Sequence, residues 1–127
     1  MIVDYEGALV RGVEQAGERF DEAALAELPA QLPGSRVRPE GDVGPSPGEV
    51  VDVRYVDGVD GHTDVTVRLW NRDVIAAADT GKVFVALGGT ILERGHDGEI
   101  RRIGSPYVAL TLRPVGGREA LRRCRPC

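Results

Sequence analysis

Few residues in this 127-residue chain could carry out covalent chemistry, and they are scattered. Two histidines can serve as general bases. His62 ends the stretch Asp57-Gly58-Val59-Asp60-Gly61-His62, and His96 lies in Gly95-His96-Asp97-Gly98. Each has an acid nearby in the chain, Asp60 or Asp64 for the first and Asp97 for the second. A serine nucleophile needs its base within hydrogen-bond reach, and only Ser35, Ser46 and Ser105 are available. No G-x-S-x-G elbow presents any of them. Ser105 lies between Gly104 and Pro106, a turn context. Both histidines therefore read as solvated turn residues. A hydrolase that pairs Ser105 with His96 or His62 is the rival reading.

The remaining reactive groups have structural readings too. Cys124-Arg125-Pro126-Cys127 is a C-x-x-C pair. A redox pair usually sits at a helix N-terminus that lowers one thiol pKa, and no residue follows Cys127 to build one. A zinc site needs two further ligands, and the chain has no second C-x-x-C and no paired histidines. Zinc shared between two chains is the functional alternative to a disordered tail. Asp57, Asp60 and Asp64 with Gly58 and Gly61 resemble a calcium loop only loosely, because the twelve-residue register and its bidentate glutamate are missing. Gly88-Gly89 is followed by no Lys-Ser/Thr and opens no helix, so it is no phosphate loop. Trp70, the single tryptophan, reads as core or edge packing. No catalytic residue, cofactor or metal ligand is assigned on these grounds.

The elements that hold these residues are mostly strands. Ile2 to Val13 carries Val3, Tyr5, Leu9 and Val13 and is interrupted by Gly7 and Gly12. Asp21 to Leu28 is the best helix: Asp21 suits the N-cap, Glu22 the first turn, and Pro29 the stop. Leu25 and Leu28 share a face, and Phe20 can staple the entry. Residues 33–48, rich in proline and glycine, predict a long surface loop with a short strand at Arg36-Val37-Arg38. Val51, Val53 and Tyr55 alternate with Asp52 and Arg54, and Val65, Val67 and Leu69 with Thr66 and Arg68, which predicts a hairpin. Asn71 caps a helix over Arg72 to Ala78, ended by Gly81. Lys82 to Leu87 reads as a central strand. It is bulged at Gly88-Gly89 and continued by Thr90 to Arg94. Glu99 to Ile103 returns, and Tyr107 to Leu112 is the last strand before Pro114. The fold class is mostly β with two short helices, a small β-barrel or curled antiparallel sheet. Residues 1–115 form one domain and 116–127 a basic, flexible tail.

Composition narrows the function classes. A domain of this length buries enough surface to fold without metal or disulfide. A net charge of −4 argues against a general nucleic-acid binder, whose affinity rests on neutralising phosphates. No apolar run approaches the ~18 residues of a membrane helix. Met1 to Glu6 lacks the basic start and apolar core of a signal peptide. The positive charge is almost all arginine, with Lys82 the one lysine, which reads as coding bias.

Several segments taken in order resemble one family. Tyr107-Val108-Ala109-Leu110-Thr111-Leu112-Arg113-Pro114-Val115 is similar to the closing "EVSLVTxPA" segment of the tailed-phage prohead serine proteases, capsid-maturation enzymes that share a barrel with the herpesvirus assemblins. Val10 to Leu32 resembles the family's opening "eG…F…eAL" stretch. Pro47-Gly48-Glu49-Val50-Val51 resembles its "piGrV" strand start. The Arg72 to Ala78 helix and Phe84-Val85-Ala86-Leu87-Gly88-Gly89-Thr90 resemble its helix and "GLSxGF" strand. Together they cover most of residues 1–115. The resemblance implies a barrel, and it implies that the catalytic groups are gone. Leu87 falls at the nucleophile, Tyr107 at the acid, and Glu40-Gly41-Asp42-Val43, without a histidine, at the base. The expectation is a pseudo-protease acting in phage or prophage head assembly, in the bacterial cytoplasm or the procapsid. It would bind capsid or scaffold protein, or self-associate, without nucleic acid, membrane or cofactor. A small ligand-binding β-domain unrelated to that family is the third reading.

Overall fold

The computed structural model describes residues 2–10, 20–39, 41, 43–56, 62–112 and 120–124. The fold is mostly β with two short α-helices, and the strands lie in two open antiparallel sheets. In chain order the elements are β1 (Val3–Val10), α1 (Glu22–Glu27), a 3₁₀ turn (Leu28–Ala30), β2 (Arg36–Val37), β3 (Gly48–Val56), β4 (His62–Leu69), α2 (Arg72–Asp79), β5 (Phe84–Arg94), β6 (Ile100–Thr111) and β7 (Arg122–Arg123). The larger sheet has the order β2-β3-β4-β1-β7, and β5 and β6 pair as a long hairpin.

Both helices begin where local chemistry dictates. The Asp21 carboxylate accepts the Ala24 N–H at 3.1 Å, and the Asn71 side chain accepts from Asp73 and Val74. Pro29 opens the 3₁₀ turn that ends α1. Phe20, Leu25 and Leu28 are all buried, so the apolar face read from their spacing is the core face. Thr63, Val65, Val67 and Leu69 of β4 point inward at period two, and the buried Thr63 hydroxyl donates to the Leu25 carbonyl at 3.1 Å. Tyr5 and Val53 from the large sheet meet Val85, Leu87, Val108 and Leu110 of the hairpin, with Ile75 and Ala78 of α2, in one core.

Five expectations change. The barrel does not close among the described residues. On one flank the two sheets meet at the parallel bridge between Arg38 and Ala109, and on the other the Leu121 N–H donates to the Val83 carbonyl at 2.8 Å. Such contacts are too few for a continuous ladder. Val51 is not a core residue, because a bulge between Val50 and Asp52 advances the register and turns Val50 and Val53 inward. Lys82 to Leu87 leads not into a central strand but into β5, half of a two-stranded sheet. The Gly104-Ser105-Pro106 turn is absent as well: β6 runs straight through, and the irregularity becomes a bulge opposite Gly89, with Ser105 at φ 47°. Moreover, residues 33–48 are only partly a surface loop, since Val37, Pro47 and Gly48 are buried.

The C-terminal segment also departs from the flexible tail read from sequence. At 120–124 it is docked: Arg122 and Arg123 pair with Glu6 and Tyr5 of β1, and Leu121 is buried. Among the described residues no helix is long and apolar enough to cross a membrane.

Candidate functional site

Tyr107 borders two clefts near where the two sheets meet. The bulge at Gly88-Gly89 sets Gly88 directly opposite Tyr107 in the β5–β6 ladder. The tip of the Tyr107 ring occupies the space where a side chain at residue 88 would begin, so only glycine fits beneath it. Arg38 leaves β2 held by the parallel bridge. Its N–H donates to the Val108 carbonyl at 2.9 Å, and its own carbonyl accepts the Leu110 N–H at 3.0 Å. Its guanidinium carbon then lies 3.7 Å from the Tyr107 ring centroid, a cation–π stack.

Two cavities flank the ring. One, of about 280 Å³, is lined by Phe20, Leu87, Gly88, Ile91, Ile103 and Tyr107 among others. The second, of about 260 Å³, is bounded by Arg38, Pro39, Gly41, Tyr107 and Ala109. Leu87, Tyr107 and the segment around Gly41, matched by resemblance to nucleophile, acid and base positions, thus border two adjoining spaces. Glu40 and Asp42 lie outside the described residues. Leu87, at the position matched to the nucleophile, is a buried aliphatic chain with no nucleophilic atom. The cleft does offer a permanently charged planar donor, a phenol that can donate or accept, and apolar walls. Such a lining is chemically suited to a small apolar or planar group beside a carbonyl or carboxylate.

The other residues singled out from sequence stay apart. His96 is exposed at the tip of the β5–β6 hairpin, and Asp97 beside it accepts the Glu99 N–H at 3.0 Å. Arg94 pairs with Ile100 and Thr90 with Gly104, so four residues of β6 separate the hairpin tip from the Ser105 region. That is about 13 Å along the ladder. No hydrogen bond joins Ser105 to His96. The His62 side chain, Asp57, Asp60 and Cys127 fall outside what is described. Asp64 pairs with Arg54 at 3.4 Å across β3 and β4. The Ser35 and Ser46 hydroxyls donate to backbone carbonyls of Leu32 and of Val37 and Gly48. Trp70 is partly exposed at the end of β4, its indole N–H donating to the Ser46 carbonyl at 3.2 Å. Among the described residues no group of three or more histidine, cysteine or acidic side chains could hold a metal ion.

Sequence reading missed the strongest polar cluster. The buried Tyr5 hydroxyl donates to Asp79 at 2.6 Å, and Arg123 grips the same carboxylate with bonds of 3.2 and 2.8 Å. The three residues are 74 and 44 positions apart along the chain, so no local pattern announces them. The Tyr5 hydrogen bond, then that of Arg123, holds the Asp79 carboxyl below its usual range. Burial, then the bond to Asp79, raises the Tyr5 phenol. A carboxyl more acidic in the folded chain contributes stability above the ordinary aspartate pKa of ~3.9, and that contribution is lost as pH falls through the folded value. Carbon-detected titration should give Asp79 a midpoint below the ordinary aspartate value of ~3.9, moved upward in Tyr5→Phe. Equal midpoints in the two proteins would contradict the assignment.

Comparison with protein-family models, curated proteins and solved structures finds no match for this chain.

Proposed function

We propose that this chain is a non-catalytic protein of prohead-protease-like fold that binds capsid or scaffold protein during phage or prophage head assembly. One observation carries the reading. The positions matched one by one to the catalytic residues of that family border the two cavities beside the Tyr107 ring, Leu87 and Tyr107 from neighbouring rungs of the β5–β6 hairpin and Gly41 from the segment after β2. In place of the triad the cleft holds Leu87, Tyr107 and the stacked Arg38, a lining suited to recognition. The scaffold thus keeps a binding site after the loss of its nucleophile.

Coexpression with the capsid and scaffold proteins of the phage or prophage that carries its gene tests this. The chain should co-sediment with the assembled shells, and Tyr107→Ala or Arg38→Ala should reduce the bound fraction about tenfold without lowering the melting temperature by more than a few degrees. A wild-type chain left in the supernatant would overturn the proposal, as would labelling by a serine-directed fluorophosphonate. The cavity between Phe20, Leu87 and Ile103 favours a second reading, a small-ligand binder. That reading gains if a hydrophobic probe dye binds stoichiometrically and is displaced by Leu87→Trp, while no shell protein is captured.

A further inference from the structure

The segment Ala120 to Cys124 is bound to its own domain as a peptide ligand would be. It runs antiparallel along the outer edge of β1, with Tyr5 opposite Arg123 and Glu6 opposite Arg122. The Leu121 N–H donates to Val83 at 2.8 Å and the Cys124 N–H to Asp4 at 2.9 Å. Leu121 is 3% exposed and rests over Gly7, its Cδ2 2.9 Å from where a side chain on Gly7 would start, with Val85 Cγ2 3.0 Å from the same point. Arg122 meets Glu6 at 3.2 Å, and Arg123 takes Asp79 in a two-pronged grip. An apolar anchor, two arginine–carboxylate pairs and strand hydrogen bonds are thus concentrated in a few residues.

The covalent connection does little to enforce this docking. Thr111 pairs with Phe84, so Val83 lies between the end of β6 and Leu121. The two flanks of Val83 are two strand spacings apart, about 10 Å. Residues 112 to 120 can span more than 25 Å, at ~3.3 Å per residue. Contacts rather than tether length therefore decide which copy of the segment fills the groove. We propose that the groove formed by β1, α2 and the start of β5 is a docking site for an extended apolar–Arg–Arg segment, and that a second copy of this chain exchanges its own Leu121–Arg123 segment into it. A tether of this length gives the resident segment an effective concentration in the millimolar range. Exchange dominates when copies crowd beyond that level or when the resident grip is broken.

This proposal is independent of the assembly role. A charge exchange tests it on the full chain. In Asp79→Arg the groove repels its own Arg123, and in Arg123→Glu the tail repels its own Asp79. Mixing the two variants matches both pairs, but only between chains. At about 50 µM each variant alone should sediment as a monomer, their mixture as a one-to-one dimer, and the double variant, with the pair restored internally, as a monomer. A mixture of folded monomers, or dimers in either single variant, would sink the proposal. The unaltered chain supplies a second measurement that requires no variant to fold. A synthetic peptide of residues 117–127 at several millimolar should raise deuterium uptake severalfold at the Leu121 and Cys124 amides. Uptake unchanged by the peptide would overturn the docking site.

Discussion

Gly48→Ala should lower the thermal midpoint of this protein by roughly 10 °C. Gly48 opens β3 and is paired on both sides, with Val37 of β2 and Leu69 of β4. It is buried, and a Cβ placed on it meets the backbone carbonyl oxygen of Arg68 and lies 2.9 Å from the Leu69 Cδ2. A side chain can swing away from an added methyl group, but a carbonyl within the β3–β4 ladder cannot. Relief requires one strand to lift from its neighbour. Overpacking of this kind costs about 3 kcal/mol. For a domain of this size each kilocalorie moves the midpoint by about 3–5 °C. Gly95→Ala is the matched control. Its added carbon faces the Asp97 and Arg101 side chains at 3.2 and 3.3 Å near the hairpin tip, and both can move. Calorimetry should give that variant a midpoint within about 2 °C of wild type. Equal midpoints for the two alanine variants would mean that β3 has slack at its start.

Tyr5→Ala should be as damaging, at about 3–5 kcal/mol. The ring is fully buried between the large sheet and the hairpin, and its hydroxyl reaches α2 through Asp79. Removing the ring leaves a cavity and takes a donor from the carboxylate that holds Arg123. Tyr5→Phe separates the two contributions. It keeps the packing and removes only the bond to a charged acceptor, which costs about 1.5–2 kcal/mol. Denaturant titration should order the proteins wild type, Tyr5→Phe, Tyr5→Ala. The Leu121 and Cys124 amides should exchange faster in both variants, because Arg123 then has one partner fewer around the shared carboxylate. A Tyr5→Ala protein no weaker than Tyr5→Phe would remove the ring from the core account.

The Tyr107 cleft lies at an unfinished seam. Where two sheets meet through one bridge instead of a ladder, side chains rather than backbone fill the gap, and Arg38 and Tyr107 do so here. A closed sheet would leave no such space. At the opposite seam the Leu121 N–H reaches the Val83 carbonyl, and there the docked segment fills the gap. Both proposed binding surfaces therefore sit at the incomplete junctions of the fold.

The sequence by itself determined what is local. Period-two burial along β4, the caps at Asp21 and Asn71 and the bulge at Gly88-Gly89 all depend on residues within a few positions of one another. Backbone geometry and hydrogen bonding over that range are nearly context-free. Other features were decided only in three dimensions. Val50 rather than Val51 turned inward because the bulge in β3 is set by its pairing with β4. The apparent turn at Ser105 became part of a strand because β5 supplied partners on both sides of it. Tyr5, Asp79 and Arg123 met, and Arg38 came over Tyr107, through strand pairing between distant parts of the chain. Such contacts leave no periodic trace, because their energy comes from neighbours that only the packed sheets bring together.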